Sequence, residues 1–209
     1  VPFEVVTTAY GRPALAALRD TVAAAKAGDP LAPVTVVVAS NHVGVTARRL
    51  LAADVLGPVT PGRVGVAAVG FVTAYRLAEL LGSAALAAAG RRPVSTPVVA
   101  AALRRALDER PGIFAPVAAH PATEQALVAA YTELSDVAED GLAALAAGGR
   151  RPRDVVRTCR RARGLLASDW YDEADLTASA IAQVDAGTGA APGSGTGAGG
   201  LAAELGHVV

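Results

Sequence analysis

The residues best placed for phosphate chemistry stand near the N-terminus. Gly11-Arg12-Pro13 lies between an expected strand, beginning at Phe3, and an expected helix through Leu15, Leu18 and Val22. A phosphate-binding loop needs several glycines to aim consecutive backbone N–H groups at the phosphates, plus a Lys and a Ser or Thr. Only Gly11 is present here. Arg12 supplies charge, but Pro13 has no N–H to donate, and its fixed φ suits the first turn of a helix. Gly11 and Arg12 therefore form a degenerate nucleotide-binding pair in a turn that reads as structural.

Other motif matches lack their context. Asp172-Glu173-Ala174-Asp175 spells an acidic box that would hold Mg²⁺ at the end of a buried strand. Ser168-Asp169-Trp170-Tyr171 is no apolar strand, however, so these carboxylates are expected to cap a helix running to Val184. Gly195-Thr196-Gly197-Ala198-Gly199-Gly200 matches a dinucleotide fingerprint, yet no strand precedes it and the tract is low in complexity. His42, His120 and His207 have no partner at ligand spacing, so no metal site is expected. Ser40, Ser95 and Ser135 lack the setting of a nucleophile elbow. Cys159 is the single cysteine, which excludes an internal disulfide or a thiolate metal cluster and makes a reducing, cytoplasmic setting the default.

Arginine carries the strongest local signal. Arg150, Arg151, Arg153, Arg157, Arg160, Arg161 and Arg163 crowd onto and just before one expected helix, although the whole chain has a formal net charge of +0. Arg153, Arg157 and Arg160 share a face at helical spacing, Arg161 follows Arg157 by four residues, and Val155, Val156, Cys159, Leu165 and Leu166 supply the apolar side. Such a face suits a phosphate backbone, gripped by charge and without regard to sequence. Arg48-Arg49 and Arg104-Arg105 are lesser candidates.

The elements that must position these residues follow from hydrophobic periodicity. With 209 residues, 52% of them apolar, the chain can bury a real core. Val34 to Val38 is a β-branched run without a polar face, as in a parallel strand covered on both sides. A helix is expected over Val43 to Ala53, then a strand over Val64 to Val69, then a helix carrying Leu77, Leu80 and Leu81. Strands alternating with helices call for a parallel α/β sheet with flanking helices. Residues 1–90 form this expected core. Residues 91–186 read as a helical subdomain, with helices beginning at Thr96-Pro97 and Pro121 and two more around Arg153 to Leu166 and Glu173 to Val184. Residues 187–200 are a Gly-rich linker by composition, and 201–209 read as the start of a truncated strand in a fragment of a longer polypeptide. The apolar run from Val64 to Tyr75 is too short and too Gly-rich to span a bilayer, and no signal-peptide pattern is present.

Three stretches in this order resemble the N-terminal helicase-like region of the AddB-type subunit of bacterial helicase–nucleases, in particular actinobacterial PD-(D/E)XK nuclease family proteins. They are Thr7-Thr8-Ala9-Tyr10-Gly11-Arg12-Pro13-Ala14-Leu15, Val36 through Leu51, and Trp170-Tyr171-Asp172-Glu173-Ala174-Asp175-Leu176. The second resembles a degenerate form of the superfamily 1 helicase motif that follows the phosphate loop. Val69-Gly70-Phe71-Val72-Thr73-Ala74-Tyr75-Arg76-Leu77 is similar to the next, which touches single-stranded DNA.

The resemblance implies a degenerate P-loop NTPase or superfamily 1 helicase-like fold. It also implies a full-length exonuclease subunit that processes DNA ends in double-strand break repair. Its Mg²⁺-dependent nuclease domain would lie outside these residues, and the departure at Gly11-Arg12-Pro13 argues against ATP hydrolysis. The chain itself is then expected to be a non-catalytic scaffold that binds single-stranded DNA or duplex ends and docks a helicase partner subunit. Asn41, Thr73 and Arg76 would sit near the groove at the strand ends, with Arg48, Arg153, Arg157, Arg160 and Arg161 as further DNA contacts. A different class of function is a phosphate- or nucleotide-binding regulator or small enzyme using Arg12 and a helix N-terminus. The blandest is an interaction domain without a ligand.

Overall fold

The computed structural model describes residues 4–59, 62, 65–188 and 205–209. The chain is α/β, mostly helical, with a small parallel sheet flanked by helices. It divides into two compact units, one of residues 1–83 with 179–209 and the other of residues 84–178. The division falls inside two helices rather than at the Gly-Arg-Arg-Pro turn.

In the first unit, α1 (Arg12–Ala25) starts with Pro13 in its first turn and buries Val22 completely. The expected strand ahead of it is absent among the described residues. Glu4 to Ala9 are irregular, and Val5 and Val6 are exposed. An apolar pair with no strand to pair against and no face to cover it gains nothing from extending. After α1 the only lysine turns the chain. Lys26 is buried, and its Nζ donates to the carbonyls of Ala32 at 2.6 Å and Pro30 at 3.3 Å.

β1 (Val34–Val38) follows as the sequence indicates, with Val34 and Val36 in the core. Ser40 then caps α2 (Asn41–Ala52), its Oγ accepting the N–H of Val43, which starts the helix two residues before the expected Val43. Gly44 is where α2 closes on the sheet. A Cβ there would sit 3.1 Å from Cβ of Phe71 and 3.3 Å from Cγ2 of Val38.

β2 (Val69–Thr73) is displaced from the expected Val64 to Val69. It pairs in parallel with β1 over the full five residues, from Val34↔Val69 to Val38↔Thr73. The partner strand sets this register. Gly65 and Ala68, both at positive φ, bend the chain before the ladder begins. Apolarity alone marked the segment but not its pairing.

On the other edge of β1 lies β5 (His207–Val208), also parallel, so the sheet order is β2-β1-β5. Its approach is fixed by the Thr35 hydroxyl donating to the Leu205 carbonyl at 2.7 Å. Val22, Val34, Val36, Leu51 and Val59 form the buried cluster of this unit.

The second unit is built on α4 (Thr96–Glu109), α5 (Pro121–Leu134) and α7 (Arg150–Leu166). Each of the first two carries in its first turn the proline that announces it, Pro97 and Pro121. Val99, Leu103, Leu107, Leu127, Tyr131, Cys159, Ala162 and Leu166 meet in one core. The intervening 3-10 turn (Gly112–Val117) and α6 (Glu139–Ala147) have no counterpart in the sequence reading. β3 (Arg92–Pro93) and β4 (Trp170–Tyr171) form a two-residue parallel ladder, so Trp170-Tyr171 is a strand after all, but too short to carry a buried catalytic edge. α3 (Ala74–Ala88) and α8 (Glu173–Thr188) contribute residues to both units. The expected linker begins in α8 at 187–188; residues 189–200 of it, and 201–204 of the expected terminal strand, lie outside the described residues.

An arginine-lined candidate site

α7 arises because its apolar residues recur on one side. Val156, Cys159, Ala162 and Leu166 are buried while the opposite side is arginine. Gly149 stands at its N-cap with φ 146°, offering no side-chain cap, and no acidic residue occupies the first turn. Three arginines at a helix N-terminus oppose the helix dipole, an arrangement that an anion would relieve.

The arginines meet in an open concavity of about 690 Å³, lined by Arg110, Arg150, Arg153, Arg157 and Arg160 with Asp154. Asp154 is the fixed point. It is buried, its Oδ2 accepts the N–H of Ile113 at 2.8 Å, and its Oδ1 accepts from Arg157. Arg157 also donates to the Arg110 carbonyl at 3.1 Å. The Ile113 N–H above all, and then the Arg157 and Arg150 charges, hold the Asp154 pKa below the ordinary carboxylate value against its burial. Gly112, at φ +58°, lets this loop approach, because a Cβ there would lie 2.4 Å from Oδ2 of Asp154.

The four arginines singled out on α7 are therefore not equivalent. Arg157 is tied to Asp154, Arg160 pairs with Glu139, and Arg161 grips Glu109 through two hydrogen bonds of 2.6 and 3.0 Å. That grip lowers the Glu109 pKa and raises that of Arg161. Arg161 lies outside the concavity. Arg153, with Arg150 and Arg151, enters none of the ion pairs among the described residues and is exposed, so the undiscounted charge is at the N-terminal end of the helix. Arg110 and Arg150 complete the concavity. Arg150 was visible in the sequence only as part of the cluster, and Arg110 not at all.

The first unit places the remaining candidates separately. Asn41 opens α2 and Thr73 closes β2, and the register Val38↔Thr73 puts both at the carboxyl edge of the sheet. The Thr73 hydroxyl accepts the N–H of Arg76 at 3.2 Å, capping α3, and Arg76 pairs with Glu79 at 2.7 Å. Arg48 is exposed about 10 Å along α2 from that edge. Gly11 takes φ 88° as the N-cap of α1 with no side-chain cap, and Arg12 is exposed at the first helical position. No strand leads into them among the described residues, so the strand–loop–helix setting of a phosphate loop is missing.

The acidic box does what the sequence reading assigned it. Asp172 Oδ1 accepts the N–H of Asp175 at 3.0 Å and Asp175 Oδ2 accepts that of Asp172 at 3.2 Å, a reciprocal capping pair at the start of α8. His120 is likewise a cap, its Nδ1 accepting from Ala122. Among the described residues no three His, Cys, Asp or Glu side chains gather as a metal site, and no helix is long and apolar enough to cross a membrane. No protein-family model matches this chain, and no curated protein does.

Proposed function

We propose that this chain is the non-catalytic, helicase-like module of a DNA end-processing helicase–nuclease subunit, binding DNA in a reducing cytoplasm and docking a helicase partner. The observation that carries the reading is the concavity at α7, lined by five arginines, of which Arg157 is held by Asp154 and Arg160 by Glu139 while Arg110, Arg150 and Arg153 enter none of the ion pairs among the described residues. Charge of that density on a neutral chain favours a polyanion over a compact ligand. The parallel sheet, with Asn41, Thr73 and Arg76 at its carboxyl edge, agrees with the resemblance to a degenerate superfamily 1 helicase fold. Gly11-Arg12 without lysine or a leading strand favours a module that does not turn over ATP. Mg²⁺ chemistry belongs to a nuclease domain outside these residues.

The test is binding of labelled single-stranded DNA across a salt series. Arg150→Ala/Arg153→Ala is expected to weaken binding on the order of tenfold at low salt and to flatten the salt slope by about 1.4, at roughly 0.7 per single-strand phosphate contact. Arg161→Ala, whose guanidinium is already gripped by Glu109, is expected to change neither. Equal effects from the two variants, or no binding at low salt, would refute the proposal.

A further inference from the structure

The concavity at α7 holds two kinds of arginine. Arg157 and Arg160 are committed, the first to Asp154 and the second to Glu139 of α6. Asp154 has both oxygens engaged, Oδ2 by the Ile113 N–H and Oδ1 by Arg157, and its single charge is balanced by Arg157. Arg110, Arg150 and Arg153 line the same hollow, yet their guanidiniums enter no ion pair or hydrogen bond among the described residues. Only the main-chain carbonyl of Arg110 is in use, by Arg157. Gly149 supplies no side-chain cap and the first turn of α7 holds no acid, so the helix N-terminus adds to this positive end.

The uncompensated charge is a point rather than a track. Arg150 and Arg153 are about one turn apart on one face, roughly 4.5 Å along the axis, closer than successive phosphates of an extended single strand. Arg110 lines the hollow from the C-terminal end of α4. Farther along α7, glutamates cancel Arg160 and Arg161, and Arg163 lines a separate cavity beside Asp172. A run of phosphodiesters, each with one charge, matches a row of cations. Three free guanidiniums around one hollow match a single group of higher charge. A phosphomonoester is such a group, with roughly −1.5 to −2 charges at neutral pH and three terminal oxygens, pairs of which fit guanidinium forks.

We infer that the concavity seats a phosphomonoester, and that this is the terminal phosphate of a DNA strand. The second half rests on the DNA-binding reading above and deepens it from backbone contact to recognition of a strand end; the first half stands without it. The charges that Arg150 and Arg153 neutralise then belong to one phosphate.

The experiment follows the anisotropy of an oligothymidylate labelled in mid-strand, with a 5′-phosphate, with a 3′-phosphate, with neither, and closed into a circle. One of the end-phosphorylated forms is expected to bind on the order of tenfold tighter than the unphosphorylated strand, the worth of one further charge-assisted hydrogen bond. The circle should bind no tighter than the unphosphorylated strand. The advantage should be full at about pH 8 and shrink as pH falls through about 6, where the phosphomonoester takes up its second proton. The lining guanidiniums, and Asp154 with its lowered pKa, keep their charge over that interval. Arg110→Gln leaves the carbonyl that holds Arg157 and should remove most of the advantage, whereas Arg161→Ala should leave it intact. In calorimetry on the whole chain, inorganic phosphate and thymidine 5′-monophosphate should bind and thymidine should not. Salt-dependent binding of every oligomer with equal affinity overturns the inference and leaves the DNA-binding reading standing. Binding of the small phosphomonoesters without any oligomer upholds the site, assigns it to a small phosphorylated ligand, and refutes the DNA-binding reading instead. Binding of neither class overturns both.

Discussion

Two glycine-to-alanine changes in the helical unit should move stability in opposite directions. At Gly112 a Cβ would stand 2.4 Å from Oδ2 of Asp154 and 2.6 Å from Nη2 of Arg157, and φ is +58°. The left-handed conformation costs about 1–2 kcal/mol for a residue with a Cβ. Displacing Asp154 leaves the Ile113 N–H unpaired for about 1–3 kcal/mol more. Allowing for partial relaxation of the Arg157 side chain, Gly112→Ala is expected to destabilise by about 2–4 kcal/mol. Gly164 sits inside α7 with nothing within 4 Å of a built Cβ, so Gly164→Ala should stabilise by about 0.5–1 kcal/mol through backbone entropy. Urea unfolding followed by the fluorescence of Trp170, the only tryptophan, reports this unit specifically. The midpoint should shift down for one variant and up for the other at constant slope. A Gly112→Ala protein within about 0.5 kcal/mol of the parent, the usual range for a neutral surface change, would refute the placement of Asp154 under this loop.

The depressed Asp154 pKa makes its contribution pH-dependent. It is fully present above the ordinary carboxylate value of 3.8 and is lost as pH falls through the lower folded value. The stability gap between the parent and Asp154→Asn should therefore be widest at neutral pH and close in strong acid, as read by urea midpoints. Burial pushes the Cys159 thiol up to about 11, so alkylation near pH 8 should be far slower than for an exposed thiol and should accelerate in denaturant; rapid labelling of the native protein would contradict the packing. Lys26→Met keeps the apolar stem but strips two carbonyls of their donor, and is expected to cost about 1–2 kcal/mol in a thermal or urea melt of the α/β unit.

What the sequence revealed was local. Val34 to Val38 read as a buried parallel strand because its residues are β-branched without alternation. α4 and α5 were anchored by Pro97 and Pro121, and Asp172 with Asp175 read as a cap because an apolar helix follows. What it concealed was pairing. The β2 register depends on β1, so an apolar stretch beginning at Val64 could not show that the ladder starts at Val69. The N-terminal strand looked plausible as a string but has no neighbour among the described residues. In the arginine helix, periodicity found the face, yet the carboxylates that claim Arg160 and Arg161 come from Glu139 and Glu109, 21 and 52 residues away. Nothing in the spacing distinguishes a committed arginine from an available one, and Arg110 enters the concavity only because the Gly112 turn folds against Asp154.

The interleaving of the two units has a consequence for synthesis. Thr35 awaits a hydrogen-bond partner 170 residues later in the chain, whereas the buried residues of the helical unit's main cluster all lie between Val99 and Leu166. As the polypeptide leaves the ribosome, the helical unit has all its parts before β5 exists. Since contacts close in sequence form before distant ones, β1 must wait with one edge unpaired. Once residues through 178 have emerged, the helical unit can fold while β1 still lacks β5, and that open edge is where early misassembly would begin.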